Sequence, residues 1–308
     1  MFSHDHMSTV WSAAPTPFLD DGSLDHAAIR RLADHHERLG VRGVFIGGTS
    51  GEGPYLTNAM LHELARETVA ASHGRQAIAM QITDNSAARM LDNLNRLTDT
   101  GIDVAVIAPP YCCINASQEF LYDMYAEVIE KSPIPVALYH RGKGASVTVT
   151  GETIARLARL PKVVTLKDSS GSPDDARQIL AARDERRQTT RFYAYNGNEF
   201  KCDGAARAGY DGMMIGGACF NARLAARVFT LARDGHEDEA RQLQEHLNNL
   251  MYAVFGGRDI RCWLAGEKQL MVELGVFTTN RCVTNYRLTP ECAQDIRLAL
   301  VQNREWLS

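Results

Sequence analysis

The sequence predicts a (β/α)8 barrel followed by a helical extension. Two observations carry that prediction. Eight short apolar segments, each followed by a stretch with helical spacing, succeed one another up to residue 234, which is the alternation of a parallel α/β architecture. The apolar segments also run without in–out alternation, as strands covered on both faces do. The competing architecture, an open doubly wound sheet, carries a G-x-G-x-x-G after its first strand, and none is present here. Residues 1–234 are therefore assigned to the barrel, a TIM barrel. Residues 235–308 are assigned to helices packed on it or on a neighbouring subunit.

The first strand is Val10 to Ala14, stopped by Pro15-Thr16-Pro17-Phe18. Asp20-Asp21-Gly22 signals a turn. Asp25 to Leu39 has helical spacing through Ile29, Leu32, Ala33 and Leu39, with Gly40 as the stop. Gly43 to Ile46 is the second strand. The glycine-rich loop Gly47 to Pro54 follows, then a helix capped by Thr57 or Asn58 and running to about Ser72. Gln76 to Gln81 is the third strand, and Asp84-Asn85-Ser86 opens a helix ending at Gly101. Asp103 to Ala108 is the fourth, with Ser117 capping a helix to about Lys131. Pro135 to Tyr139 is the fifth, and Thr150 starts its helix. The sixth runs from Val163 to Lys167 and is broken at once by Asp168-Ser169-Ser170-Gly171. A helix from Asp174 to Arg183, a strand from Arg191 to Tyr195, a helix from Glu199 to Ala208, a strand from Gly212 to Ile215 and a helix from Asn221 to Arg233 complete the barrel. Beyond Gly235 only helices are expected: Glu237 to about Val254, Asp259 to about Leu274, and Pro290 to Trp306.

Composition narrows the function classes. With 308 residues, 45% of them hydrophobic, the chain is long enough for a large core. A net charge of −4 and the absence of a long basic run give no footprint for nucleic acid or a membrane surface. No apolar stretch is long enough to cross a bilayer. The opening Met1 to Met7 lacks the basic and apolar regions of a signal peptide, so a loose tail and a cytoplasmic location are expected. Its His4 and His6 are slight ground for a metal. The seven cysteines include no C-x-x-C pair, and the adjacent Cys112-Cys113 suits neither a disulfide nor a zinc site, so reduced thiols are expected.

In such barrels the chemistry gathers at the carboxyl ends of the strands. Those ends offer Thr16, the Gly47–Glu52 loop with Thr49 and Ser50, Tyr111, Tyr139-His140-Arg141, Lys167-Asp168-Ser169, Asn196 to Glu199, and Gly216-Gly217. They hold hydroxyls, phenols, one amine and several glycines, and no His/Asp/Glu set with metal spacing. Lys167 would project into a crevice, where a charged amine is costly. A neutral amine on a rigid strand end can attack a ketone and form a Schiff base. The competing reading is a surface lysine just past a strand.

Three motifs carry a resemblance. Gly47-Gly48-Thr49-Ser50-Gly51-Glu52, Tyr139, and Leu166-Lys167-Asp168-Ser169-Ser170-Gly171 resemble the dihydrodipicolinate synthase / N-acetylneuraminate lyase family of Schiff-base aldolases, lyases and dehydratases. The resemblance covers nearly the whole chain and is specific for the family, not for the substrate. It implies that Lys167 forms the imine with a 2-keto acid. It also implies that Tyr139 passes protons with Ser50 as its relay neighbour, and that no cofactor or metal takes part. Glycines 47, 48 and 51 let backbone amides approach an anion, and Thr49 and Ser50 add hydroxyls, so Gly48, Thr49 and Ser50 suit the keto-acid carboxylate. A bare glycine turn or a phosphate loop is the alternative, and the lack of Gly-Lys-Ser/Thr argues against a nucleotide P-loop. Ser169 joins the substrate-binding set. Glu199 resembles a position where sugar-acid lyases hold hydroxyls. Gly216 and Gly217 leave room for a longer substrate or serve tight packing.

The chain also departs from the family. Many members have Pro-Tyr-Tyr after strand four, the second tyrosine reaching a neighbouring subunit's relay; here the run is Pro110-Tyr111-Cys112-Cys113. Where synthases carry an arginine for a second carboxylate, the ungapped position is Gly144. That argues against dihydrodipicolinate synthesis itself. His140, Arg141 or Lys143 can instead meet a polar or anionic substrate end, or be solvated loop charges. The resulting expectation is a metal-free lyase acting on a 2-keto-3-deoxy sugar acid or a similar hydroxylated 2-keto acid. The alternatives are a synthase-like condensation, a cyclic imino acid deaminase, and a non-catalytic keto-acid-binding barrel. The resemblance also implies a homotetramer.

Overall fold

The computed structural model describes residues 9–188 and 190–307. The opening tail with His4 and His6 lies outside the described residues. Eight strands form the sheet: β1 (Val10–Ala13), β2 (Gly43–Ile46), β3 (Ala77–Gln81), β4 (Val104–Ile107), β5 (Val136–His140), β6 (Val163–Asp168), β7 (Tyr193–Asn196) and β8 (Gly212–Ile215). They pair in parallel in chain order, and β8 pairs with β1, so the sheet closes. Between them run α1 (His26–Arg38), α2 (Asn58–Ser72), α3 (Ala87–Arg96), α4 (Gln118–Lys131), α5 (Gly151–Ala158), α6 (Pro173–Arg187) and α7 (Cys202–Ala208), with α8 (Ala218–Arg233) after β8. Side-chain caps set most helix starts. Asp25, Thr57, Ser86, Ser117, Thr150 and Ser172 each accept the backbone N–H three residues on, a contact worth about 1 kcal/mol.

Because side chains alternate along a strand, the sheet feeds two cores. Trp11, Phe45, Ala79, Val106, Tyr139, Tyr195 and Met214 fill the barrel interior. Ile46, Ile78, Leu138, Leu166 and Ile215 face the helices. The interior is full at its floor. A Cβ on Gly43 would sit 1.9 Å from the Trp11 ring, so only glycine fits there. At the other end, Tyr139 of β5 pairs in register with Lys167 of β6, which pairs with Tyr195 of β7. All three share the inward phase. His140, Asp168 and Asn196 are their outward-phase neighbours.

The barrel is followed by α9 (Glu237–Phe255), α10 (Trp263–Glu273), α11 (Pro290–Gln302) and α12 (Arg304–Leu307). α9 lies against α7 and α8, and α10 against α8 and α9. The extension differs from expectation in two places. The helix expected from Asp259 starts only at Trp263, because Gly256, Gly257 and Ile260 all take positive φ and turn the chain. The helix expected from Pro290 to Trp306 breaks at Asn303, whose side-chain amide donates to the Ala299 carbonyl. The helix after β3 also stops early, at Arg96 rather than Gly101. No helix among the described residues is long and apolar enough to cross a membrane.

Candidate active site

The centre of the site is Lys167, buried on β6 with 7% of its surface exposed. Its Nζ stands 4.7 Å from the centre of the Tyr139 ring and 5.8 Å from that of Phe45. The two rings meet edge to face at 5.9 Å. An amine over aromatic faces is held electrostatically without a hydrogen bond that would fix its direction. Burial pushes the Tyr139 phenol up, but the Lys167 ammonium, the Arg141 guanidinium and the Thr49 and Ser169 hydroxyls more than offset it, and the net shift is downward. A buried phenol with a lowered pKa beside an amine is a proton carrier in a useful place.

The loop after β2 supplies the hydroxyls. Gly47 takes φ +66 and Glu52 the left-handed region at φ +58, so the chain folds back on itself. The Gly53 N–H donates to the Gly48 carbonyl at 3.2 Å, and the Thr16 hydroxyl to the Gly51 carbonyl at 2.6 Å. A Cβ on Gly53 would lie 1.8 Å from the Gly47 carbonyl oxygen, and one on Gly48 would lie 2.8 Å from the Phe45 ring. These glycines are there for close backbone approach. Thr49 faces the Tyr139 phenol. Ser50 Oγ lies toward β8, 2.8 Å from where a Cβ of Gly216 would be.

Glu199, in the short helical turn Glu199–Lys201 before α7, is buried. Its Oε2 accepts the Gly217 N–H at 2.8 Å and the Asn221 amide at 3.5 Å. Burial raises its carboxyl above the usual range, against those two contacts and the Lys167 charge. Gly217 is therefore tight packing: a Cβ there would be 2.6 Å from Glu199 Oε2. Gly216 likewise clears Ser50 rather than opening space. Ser169 lies between Tyr139 and Gly197, where a Cβ would meet Ser169 Oγ at 2.0 Å and Lys167 Cε at 2.8 Å. Gly197→Ala is thus expected to push Lys167 aside and cut kcat/KM about a hundredfold, the scale of a 1 Å misplacement, with Tm nearly unchanged. Steady-state kinetics beside a thermal melt checks this.

One residue stands elsewhere than expected. His140 points out of the barrel, fully buried, with Nε2 2.8 Å from Asp175 of α6, so it cannot meet a substrate. Asp168 also points outward. It accepts from the Tyr210 hydroxyl and, at 2.8 Å, from the Ser170 N–H. Tyr111 bends back to accept from the Gln81 amide at 3.0 Å, and the Cys112 N–H donates to Asn85 at 2.8 Å. Arg141 stays at the mouth, half-buried, its charge acting on both Tyr139 and Tyr111. It makes no ion pair among the described residues.

Sequence reasoning missed the support beneath the loop. Glu52 and Lys268 of α10 form a fully buried ion pair at 2.5 Å. Glu52 Oε2 also accepts from the N–H groups of Val283 and Thr284, at 2.7 and 2.8 Å, and Lys268 donates to the Arg281 carbonyl at 2.8 Å. Glu52 was visible as part of the glycine loop. Nothing local marked Lys268, 216 positions away.

The family model described as "Dihydrodipicolinate synthetase family" matches residues 6–287. A 4-hydroxy-tetrahydrodipicolinate synthase of Porphyromonas gingivalis is 26% identical over 268 residues, 86% of each chain. One from Synechococcus is 31% identical over 190 residues, 62% of this chain and 60% of that one. Among solved structures, the dihydrodipicolinate synthase of Bacteroides thetaiotaomicron superposes with a TM-score of 0.83 at 26% identity, over 96% of this chain and 98% of that one. A protein described as the first monomeric dihydrodipicolinate synthase variant superposes with 0.85 at 21% identity over the whole of both chains. The latter is a likeness of fold.

Proposed function

Because this chain belongs to the dihydrodipicolinate synthetase family, we propose that it is a lyase that captures a 2-keto acid as a Schiff base on Lys167. The observation that carries this is the register of Tyr139 with Lys167, which sets the phenol beside the amine inside the barrel mouth. Backbone groups at Gly48 with the hydroxyls of Thr49 and Ser50 hold the carboxylate. The neutral amine attacks C2. The former carbonyl oxygen leaves as water after two protonations, which Tyr139 passes with Thr49 and Ser169. The iminium then draws the electron pair from the bond between C3 and C4. A 4-hydroxyl loses its proton, an aldehyde departs, and the enamine takes a proton at C3 before water releases pyruvate.

The substrate class favoured is a hydroxylated 2-keto acid, such as a 2-keto-3-deoxy sugar acid. The Glu199 carboxyl, near both Lys167 and the Ser50–Gly216 wall, suits a hydroxyl beyond C3. A second reading, condensation of pyruvate with a carboxylate-bearing aldehyde, is favoured by Arg141, whose guanidinium at the mouth suits a second carboxylate. A substrate panel with product identification separates them. Pyruvate release from keto-deoxy sugar acids is the expected result. Turnover only of pyruvate plus an acidic aldehyde installs the second reading, and saturable binding without turnover removes both.

A further inference from the structure

Behind Glu199 lies a second carboxyl that the Schiff-base chemistry leaves unused. Glu267, on α10, is fully buried. Its Oε1 accepts from the Cys219 thiol of α8 at 3.2 Å, and its Oε2 is buried with no partner. A charge in that setting is costly. The groups that face it offer little relief. Glu199 approaches from the turn after β7 and Glu52 from the loop after β2, both carboxyls. Lys268, its neighbour on α10, is already bound to Glu52 and the Arg281 carbonyl. The Cys282 thiol faces it from the segment after α10. α9 meets α10 through backbone, the Val254 carbonyl lying against Gly266.

Two carboxyls so enclosed do not both ionise readily. Glu199 has the Gly217 N–H, the Asn221 amide and the Lys167 charge to favour its anion, whereas Glu267 has one thiol and the charge of Lys268, which Glu52 already engages. We propose that Glu267 is a neutral carboxylic acid in the resting protein, leaving Glu199 as the one ionised carboxyl of the pair that faces Lys167. Through Glu199, whose carboxyl feels the Lys167 charge, Glu267 is then a positioning residue for the imine-forming amine. Its effect on Lys167 rests on the Schiff-base reading; the place of the proton does not. Burial first, then the neighbouring Glu199, pushes the Glu267 carboxyl up to about 8.

Two measurements on Glu267→Gln, which keeps the shape of the neutral acid, test this. The first is Tm against pH. The folded chain keeps the proton while the unfolded chain loses it above the ordinary carboxyl value, so wild-type stability falls with rising pH from about 4.5 to 8. The variant lacks that loss, and its Tm advantage is expected to grow across this window. A constant difference overturns the proposal. The second is the rate of borohydride trapping of pyruvate on Lys167. Below pH 7 the two proteins are expected to match. Above pH 8, where wild-type Glu267 ionises and adds a second carboxylate behind Glu199, the variant is expected to be about three- to tenfold faster. Identical profiles overturn the positioning role. Absence of trapping in both overturns the Schiff-base reading and with it the positioning role, while the Tm comparison still decides the proton. If Glu267→Gln does not fold, Glu267→Met, also without a carboxyl, takes its place in both measurements.

Discussion

Lys167→Met is expected to abolish trapping of pyruvate by borohydride and to lower kcat/KM by at least about a thousandfold, about 4 kcal/mol of transition-state stabilisation. Methionine matches the length of the lysine stem and sits well against the Phe45 and Tyr139 rings that flank the amine. Lys167 holds no ion pair among the described residues, so the fold should survive intact. A second readout separates lost chemistry from lost structure. The Lys167 charge is the largest of the influences that lower the Tyr139 phenol against burial. Its removal should move the Tyr139 titration upward, visible in an ultraviolet pH titration. Mass spectrometry after borohydride locates the adduct. A pyruvyl adduct that persists in the variant, on another lysine, would refute the assignment.

Lys268→Met is expected to destabilise the protein by about 3–5 kcal/mol, the usual cost of leaving one member of a buried ion pair alone. Both side chains are fully buried, and Glu52 would keep only the Val283 and Thr284 donors. Because Glu52 closes the loop that carries Thr49 and Ser50, the residual folded protein should also bind keto acid less well. Chemical denaturation measures the first effect and the KM for the keto acid the second. The double change Glu52→Gln with Lys268→Met should recover part of the lost stability, since it removes the stranded charge. A loss under 1 kcal/mol for the single variant would mean that water reaches the pair.

The barrel was legible because its signals are local. Each strand is a short apolar run, and the caps Thr57, Ser86, Ser117 and Thr150 stand where expected. That Lys167, Tyr139 and Thr49 come together was legible because strand ends in a parallel barrel converge. What escaped was phase and distance. From sequence, His140 and Arg141 were equal candidates. The pleat sends one outward to Asp175 and leaves the other at the mouth. Ser50 and Thr49 were likewise adjacent hydroxyls, and only the fold of the glycine loop decides which meets Tyr139. The breaks before Trp263 and at Asn303 depend on backbone conformations that neither residue dictates alone. Glu52, Lys268 and Glu267 join segments more than 200 positions apart, beyond any periodic pattern.

The pinning of Glu52 by Lys268, Val283 and Thr284 bears on the order in which the protein is made. Translation completes the last barrel strand at Ile215, yet the clamp on the glycine loop waits for Thr284. At about 5–20 residues per second, the ribosome needs several seconds more to supply it. During that interval the nascent chain has all its strands and Lys167, but the Glu52 carboxylate lacks its counterion until Lys268 is added and its backbone donors until Val283 and Thr284 follow. The loop that carries Thr49 and Ser50 is therefore latched only after every barrel strand has been made, and the newborn chain passes through a stage with Lys167 in place on β6 and that loop still unpinned.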